Sequence, residues 1–285
     1  MIGHATSGQI TQGTIFSCAL AEDYANSNVL GIIVTARCDA ANDKVDTYNY
    51  IPLVTFEDWS IQDGSRILSN RIFPSALGEL KKILAEAGLA ESLISTISPT
   101  VILRSIFRDD LSSVSIKKLE PRFAKAENRY SSALAQRKYQ LTSFERLAFL
   151  RSQPSDFKSL SKELIQNSLA DYYYLRSSTP GEACRGYVAL LREMRHIPRD
   201  LATAIGEGID LPAYKQMCAS DARNVQRLGI ISDDHFAMPL GVVQSPHIEL
   251  LMQRFTMLFS RIGVADPEPE LLPYLQSMIS LDVQA

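Results

Sequence analysis

Two groups of basic residues and one thiol carry most of the chemistry this chain could perform. Between Val114 and Arg151, nine lysines and arginines (Lys117, Lys118, Arg122, Lys125, Arg129, Arg137, Lys138, Arg146 and Arg151) stand against three acidic residues. Arg122, Lys125 and Arg129 recur at i, i+3 and i+7, so a helix places them on one face, beside the apolar row Phe123, Ala126, Tyr130 and Leu134. A phosphate backbone binds such a row by releasing counterions. A solvated helix face, or a docking site for an acidic partner, has the same pattern.

The second group, Arg185, Arg192, Arg195, His196 and Arg199, surrounds an apolar stretch at 187–191. Arginines beside a histidine can stabilise the charge that develops on a phosphodiester. Ion pairs with Glu182, Glu193 and Asp200 are the commoner use of such residues. Cys38-Asp39 follows an apolar run. A nucleophilic thiol there needs a base, and His196, His235 and His247 are all eligible by type, with no spacing that selects among them. The simpler reading is a structural thiol whose neighbour Asp39 opens a turn. No Cys-x-x-Cys or His-x-x-x-His pair is present, so no metal site is expected. No glycine-rich phosphate loop follows an apolar run, and no cofactor is expected.

Strand patterns at the two ends of the chain frame these groups. The runs from Gly13 to Leu20, Val29 to Thr35 and Val45 to Val54 are short, β-branched and bounded by turn residues. Strand chemistry returns at 171–175, 187–191 and 225–243, where Gln226–Ile231 and Phe236–Val243 around Ser232-Asp233-Asp234-His235 predict a hairpin. Helical periodicity occupies the middle. Ile67 to Leu84 has the spacing, with breaks expected at Pro74 and Gly88. Ser98 and Pro99 signal a helix to about Arg108, and Pro121 the start of another through Lys138. Further helices are expected from Ser143 to Leu150, Asp156 to Ser168, Ile197 to Ile205 with Gly206 closing it, and Pro212 to Met217. Trp59 is expected to cap the core. Ser245-Pro246 opens the last helix and Gly263 ends it, and Ile248, Leu251, Met252, Phe255, Leu258, Phe259 and Ile262 form its apolar stripe.

Composition agrees with an ordinary folded protein of 285 residues, 46% hydrophobic and 21% charged, with no apolar run near the ~18 residues that span a bilayer. The net charge of −3 argues against a general nucleic-acid coat. Its distribution is uneven: residues 56–168 carry 17 Lys and Arg against 13 Asp and Glu, and the rest carry 12 against 19. The start of the chain has no secretory pattern, and four scattered cysteines make no disulfide framework, so a cytoplasmic location with reduced thiols is expected.

Gln12-Gly13-Thr14-Ile15-Phe16, Gly31 to Asp39 and Tyr50-Ile51-Pro52-Leu53-Val54 together resemble the opening of a small SH3-like β-barrel. They are similar to modules of poorly characterised bacterial proteins in defence and conflict operons. Tyr172-Tyr173-Tyr174-Leu175, Gly186-Tyr187-Val188, Ile197-Pro198-Arg199, Ser245 to Glu249 and Gln253-Arg254-Phe255 extend the likeness. SH3-like endoribonucleases of toxin–antitoxin systems share that topology, but their catalytic residues find no counterpart here. The expectation is therefore an α+β fold: a barrel built from residues 1–55 and 169–285, interrupted by a helical insertion at 56–168 and closed by the C-terminal amphipathic helix. The resemblance implies a non-catalytic adaptor in a bacterial antiviral multi-protein system, with subunits of the same operon as partners and no membrane. Its docking residues would be Ile248, Leu251, Met252, Phe255 and Phe259. The alternative is a nucleic-acid-binding protein or nuclease that uses Arg122, Lys125, Arg129, Arg192, Arg195 and His196.

Overall fold

Eight short strands form one antiparallel sheet: β1 (Ile2–Gly3), β2 (Thr14–Phe16), β3 (Leu30–Ile33), β4 (Thr47–Thr55), β5 (Tyr172–Arg176), β6 (Gly186–Leu190), β7 (Arg195–Pro198) and β8 (Pro239–Val243). The computed structural model describes residues 2–5, 8–25, 28–41, 44–109, 114–137, 141–176 and 186–259. Gly263, Ile262, Lys138, Arg185 and Glu182, which the sequence singled out, lie outside them.

The strand order is β1-β8-β2-β3-β4-β6-β5, with β7 also paired to β4. Nine-residue β4 divides its far edge between two partners, Thr47 to Tyr50 with β7 and Leu53 to Thr55 with β6. The sheet curls there into a half-barrel. Alternation along the strands gives it two apolar faces. Phe16, Ile33, Tyr48, Tyr50, Val54, Tyr172 and Val188 point to one side, and Ile15, Ile32, Ile51, Leu53, Tyr173, Leu175 and Ala189 to the other. The outer edge of β5 is blunted locally: Asn167, at φ 53°, turns its side-chain carbonyl to accept the Tyr174 N–H at 2.8 Å.

Helices cover both faces. In chain order they are α1 (Arg37–Ala41), α2 (Phe56–Trp59), α3 (Ser65–Glu86), α4 (Leu93–Thr96), α5 (Pro99–Ile102), α6 (Val114–Gln136), α7 (Ser143–Ser152), α8 (Pro154–Ile165), α9 (Arg199–Glu207), α10 (Leu211–Ser220) and α11 (His247–Phe259). π-helical turns, Ser60–Gly64 and Leu103–Phe107, join α2 to α3 and extend α5. No described helix is long and apolar enough to cross a membrane. The chain leaves the sheet at Thr55 and re-enters at Tyr172, with β6 the only strand between those two. Trp59, Leu68, Ile72, Leu150, Leu160 and Leu164 share one core with the first sheet face. Further along α3, Leu80, Ile83 and Leu84 instead meet Ile102, Phe107 and Phe123 in a satellite core, where the Phe107 and Phe123 rings stack at 4.4 Å. On the opposite sheet face, Ile248 and Leu251 of α11 are buried.

Side-chain caps open several helices, Ser98 among them as the sequence predicts. Ser98 accepts the Val101 N–H, and Thr142 and Glu145 close a capping box on α7. Two prolines do not break helices. Pro74 and Pro121 lie inside α3 and α6 on exposed faces, where the unpaired carbonyl one turn earlier can reach water. Helix α6 therefore begins at Val114 rather than at Pro121. Helix α9 ends not at Gly206, which is buried within it, but at Gly208, whose φ of 96° suits glycine.

The expected hairpin at 226–243 does not form. Arg227 N–H and Leu228 N–H both donate to the Tyr214 hydroxyl, at 3.0 and 3.1 Å, and Gly229 N–H donates to the Cys18 carbonyl at 2.8 Å. With these three donors taken the segment forms no ladder with β8, which pairs instead with β1 and β2.

Candidate functional site

The basic face of α6 is tied to its neighbours. Arg122 reaches Glu79 at 2.7 Å and Glu86 at 2.6 Å, both on α3, and Arg129 reaches Asp156 of α8 at 2.8 Å. Hydrogen bonding to Arg122 lowers the Glu86 carboxyl pKa, and Glu86 and Glu79 push the guanidinium further up. Lys125 lies between these pairs, on two shallow hollows that it shares with Arg129. The predicted row exists on one helix, but two of its three charges are committed to carboxylates within the molecule.

The second basic group has a different geometry. Strand β7 runs beside β4, with Arg195 opposite Tyr50 and His196 opposite Asn49. Together with Arg192 and Arg227 these residues line a pocket of about 420 Å³ that also touches Leu20, Glu22 and Glu193. Each of the three arginines is held by its Nε: Arg192 on Asp171 at 2.6 Å, Arg195 on Glu193 at 2.6 Å, and Arg227 on the Arg223 carbonyl at 3.0 Å. Their terminal amino groups have no partner among the described residues. Glu193 Oε1 also accepts the Glu22 N–H at 2.8 Å, which fixes the carboxylate that orients Arg195. Asp200, expected from the sequence to pair with this cluster, instead accepts from Asn224, and Arg199 pairs with Asp46 at 3.2 Å.

Tyr50 forms the floor of this pocket, with only 1% of its surface exposed. Its hydroxyl accepts the Leu20 N–H at 3.3 Å, and its own proton has no acceptor among the described residues. Burial raises the phenol pKa, while Arg195 and Arg227 pull it down.

Leu20, Glu22 and Arg195 also line a second, more apolar cavity of about 770 Å³. Cys18, Ala19, Ala21, Tyr24, Val29 and Ile231 contribute to its walls, with His235 at the margin. His235 Nδ1 is 3.0 Å from the Gly229 carbonyl. Burial raises the Cys18 thiol pKa, so the thiolate is disfavoured. Cys38 is elsewhere: exposed on α1, a helix rather than the expected turn, its thiol donates to Asp39 Oδ1 at 3.6 Å. Among the described residues, no three His, Cys, Asp or Glu side chains converge as metal ligands.

The predicted docking stripe of α11 divides. Ile248 and Leu251 are consumed by the molecule's own core, and Met252 and Phe255 are half-buried against it. Phe259 is exposed, joined by Leu250 and Met257. Sequence periodicity missed a second apolar surface. Phe236, Met238 and Leu240 are 46%, 41% and 50% exposed within five residues of one another, where the register between β2 and β8 shifts between Pro239 and Gly241. The backbone beneath them is firmly held. Ile209 and Ala237 exchange two hydrogen bonds at 2.9 Å, Ser17 Oγ donates to the Phe236 carbonyl at 2.8 Å and Met238 N–H donates to Ser17 Oγ at 3.0 Å.

No family model, curated protein or solved structure matches the chain.

Proposed function

We propose that this protein is a non-catalytic interaction component of a bacterial multi-protein system, of the antiviral kind that the sequence resemblance implies. The curled sheet is read as an SH3-like barrel closed by α11, and a partner subunit is read as docking on its rim. The observation that carries this reading is the row Phe236, Met238 and Leu240. Monomeric surfaces scatter their large apolar side chains, whereas three exposed within five residues of an anchored backbone suit a partner's apolar face. Little ordering entropy is then lost on binding. Leu250 and Met257, seven positions apart on the outward face of α11, add exposed apolar surface. The raised thiol pKa of Cys18 also favours contacts over covalent chemistry.

The nucleic-acid alternative loses support on α6, because Arg122 and Arg129 already engage Glu79, Glu86 and Asp156. Its other half, Arg192, Arg195 and His196, lines a pocket rather than an extended face. The test of the adaptor reading is co-expression with the products of neighbouring genes. A stoichiometric complex that Leu240→Asp dissolves is expected. A chain that stays alone with each of those products overturns the reading.

A further inference from the structure

Two cavities that meet at Leu20, Glu22 and Arg195 form one cleft with unlike ends. At one end are three guanidinium groups, each oriented through Nε, with no hydrogen bond from a terminal amino group to the described residues. Arg195 and Arg227 line the same pocket as Tyr50, whose buried hydroxyl accepts the Leu20 N–H and keeps its own proton to donate. Guanidinium groups fixed in this way have already lost their rotamer freedom, and their remaining N–H groups match the oxygens of a tetrahedral anion. At the other end, Ala19, Ala21, Val29 and Ile231 present apolar surface. Each of the two volumes, about 420 and 770 Å³, lies in the range of ligand sites, which are mostly apolar with a few placed polar groups.

We propose that this cleft binds a small phosphate monoester with an apolar body. The phosphate lies between Arg195, Arg227 and the Tyr50 hydroxyl, and the body fills the cavity beside Val29 and Ile231. Two forks and a phenol offer more donors than the two oxygens of a carboxylate can use, whereas a phosphate monoester has three terminal oxygens. The lining also limits the ligand's charge. Three arginines share the pocket with Glu22 and Glu193, a balance that suits one anionic head and disfavours an extended polyanion. The proposal does not depend on the partner-docking reading, and a ligand bound here would occupy a different surface from the apolar row.

Calorimetric titration of the full chain with octyl phosphate, octanoate, octanol, inorganic phosphate and a short single-stranded oligonucleotide tests it. Octyl phosphate is expected to bind one-to-one, about tenfold or more tighter than the other four. Arg227→Gln, at a side chain whose only described bond is to a carbonyl, should weaken octyl phosphate by roughly tenfold with the melting temperature unchanged. Ile231→Asp, on the exposed wall of the cavity, should weaken octyl phosphate and leave inorganic phosphate unaffected. Absence of octyl phosphate binding, or equal affinity in Arg227→Gln and Arg195→Gln, overturns the proposal. Equal binding of octanoate overturns the phosphate assignment. Tighter binding of the oligonucleotide overturns the small-ligand assignment in favour of nucleic acid.

Discussion

Tyr24 donates its hydroxyl hydrogen to Asp63 Oδ2 at 2.8 Å, across 39 positions of sequence. Arg66 holds the other oxygen of the same carboxylate. This bond ties the loop that lines the apolar cavity to the π-helical turn at the start of the helical segment. Tyr24→Phe leaves one oxygen of a carboxylate that is 5% exposed without its donor. The expected cost is about 1–3 kcal/mol, read as a lower denaturation midpoint with an unchanged slope.

The same tyrosine sets an alkaline limit. Burial, followed by Asp63, raises the Tyr24 phenol pKa, and the same two causes raise that of Tyr172. A phenol whose folded pKa lies above its ordinary value of 10.0 adds stability below that pH and loses it above, because only the unfolded chain can ionise there. Stability should therefore fall as pH rises past 10, and the fall should be shallower in Tyr24→Phe. Near-UV absorbance should show these phenols silent until the chain unfolds.

Helix α6 is expected to respond to its apolar contacts far more than to its charges. Phe123 is fully buried against Phe107, so Phe123→Ala should cost about 3–5 kcal/mol by chemical denaturation. Arg122→Ala removes exposed ion pairs and should cost under ~1 kcal/mol, less still at high salt.

Gly208 links stability to the docking row. Its φ is 96°, and a Cβ there would meet the Phe236 ring at 2.7 Å. Gly208→Ala should destabilise the chain by about 1–3 kcal/mol and displace Phe236. A loss of partner affinity beyond that of an equally destabilised core variant would register the displacement.

Much of the architecture was legible in the amino-acid pattern. The β-branched run around Ile32 and Ile33, and the alternation from Thr47 to Val54, read as strands because one sheet with two buried faces requires such residues. Ser98 marked a helix start because capping is local. The failures were long-range. Strand β7 was hidden by Arg195 and His196, polar residues that pair with β4 while lining a pocket. The hairpin failed because the Tyr214 hydroxyl, at least 13 positions away, takes the donors of Arg227 and Leu228. At the site, the basic residues were visible but their partners were not: nothing local shows that Arg122 meets Glu79, or that Arg195 pairs beside Tyr50 and shares a pocket with Leu20. Phe236, Met238 and Leu240 were visible as a strand pattern, yet only the three-dimensional arrangement shows them facing outward.

The most direct test of the adaptor reading is the mass in solution of the chain mixed with each neighbouring gene product, measured by size-exclusion chromatography with light scattering. The account predicts a complex of defined stoichiometry for the wild type, and separate components for Leu240→Asp, a variant that keeps the wild-type melting temperature. Wild-type chain that elutes at its own mass of 31.7 kDa in every mixture would contradict it.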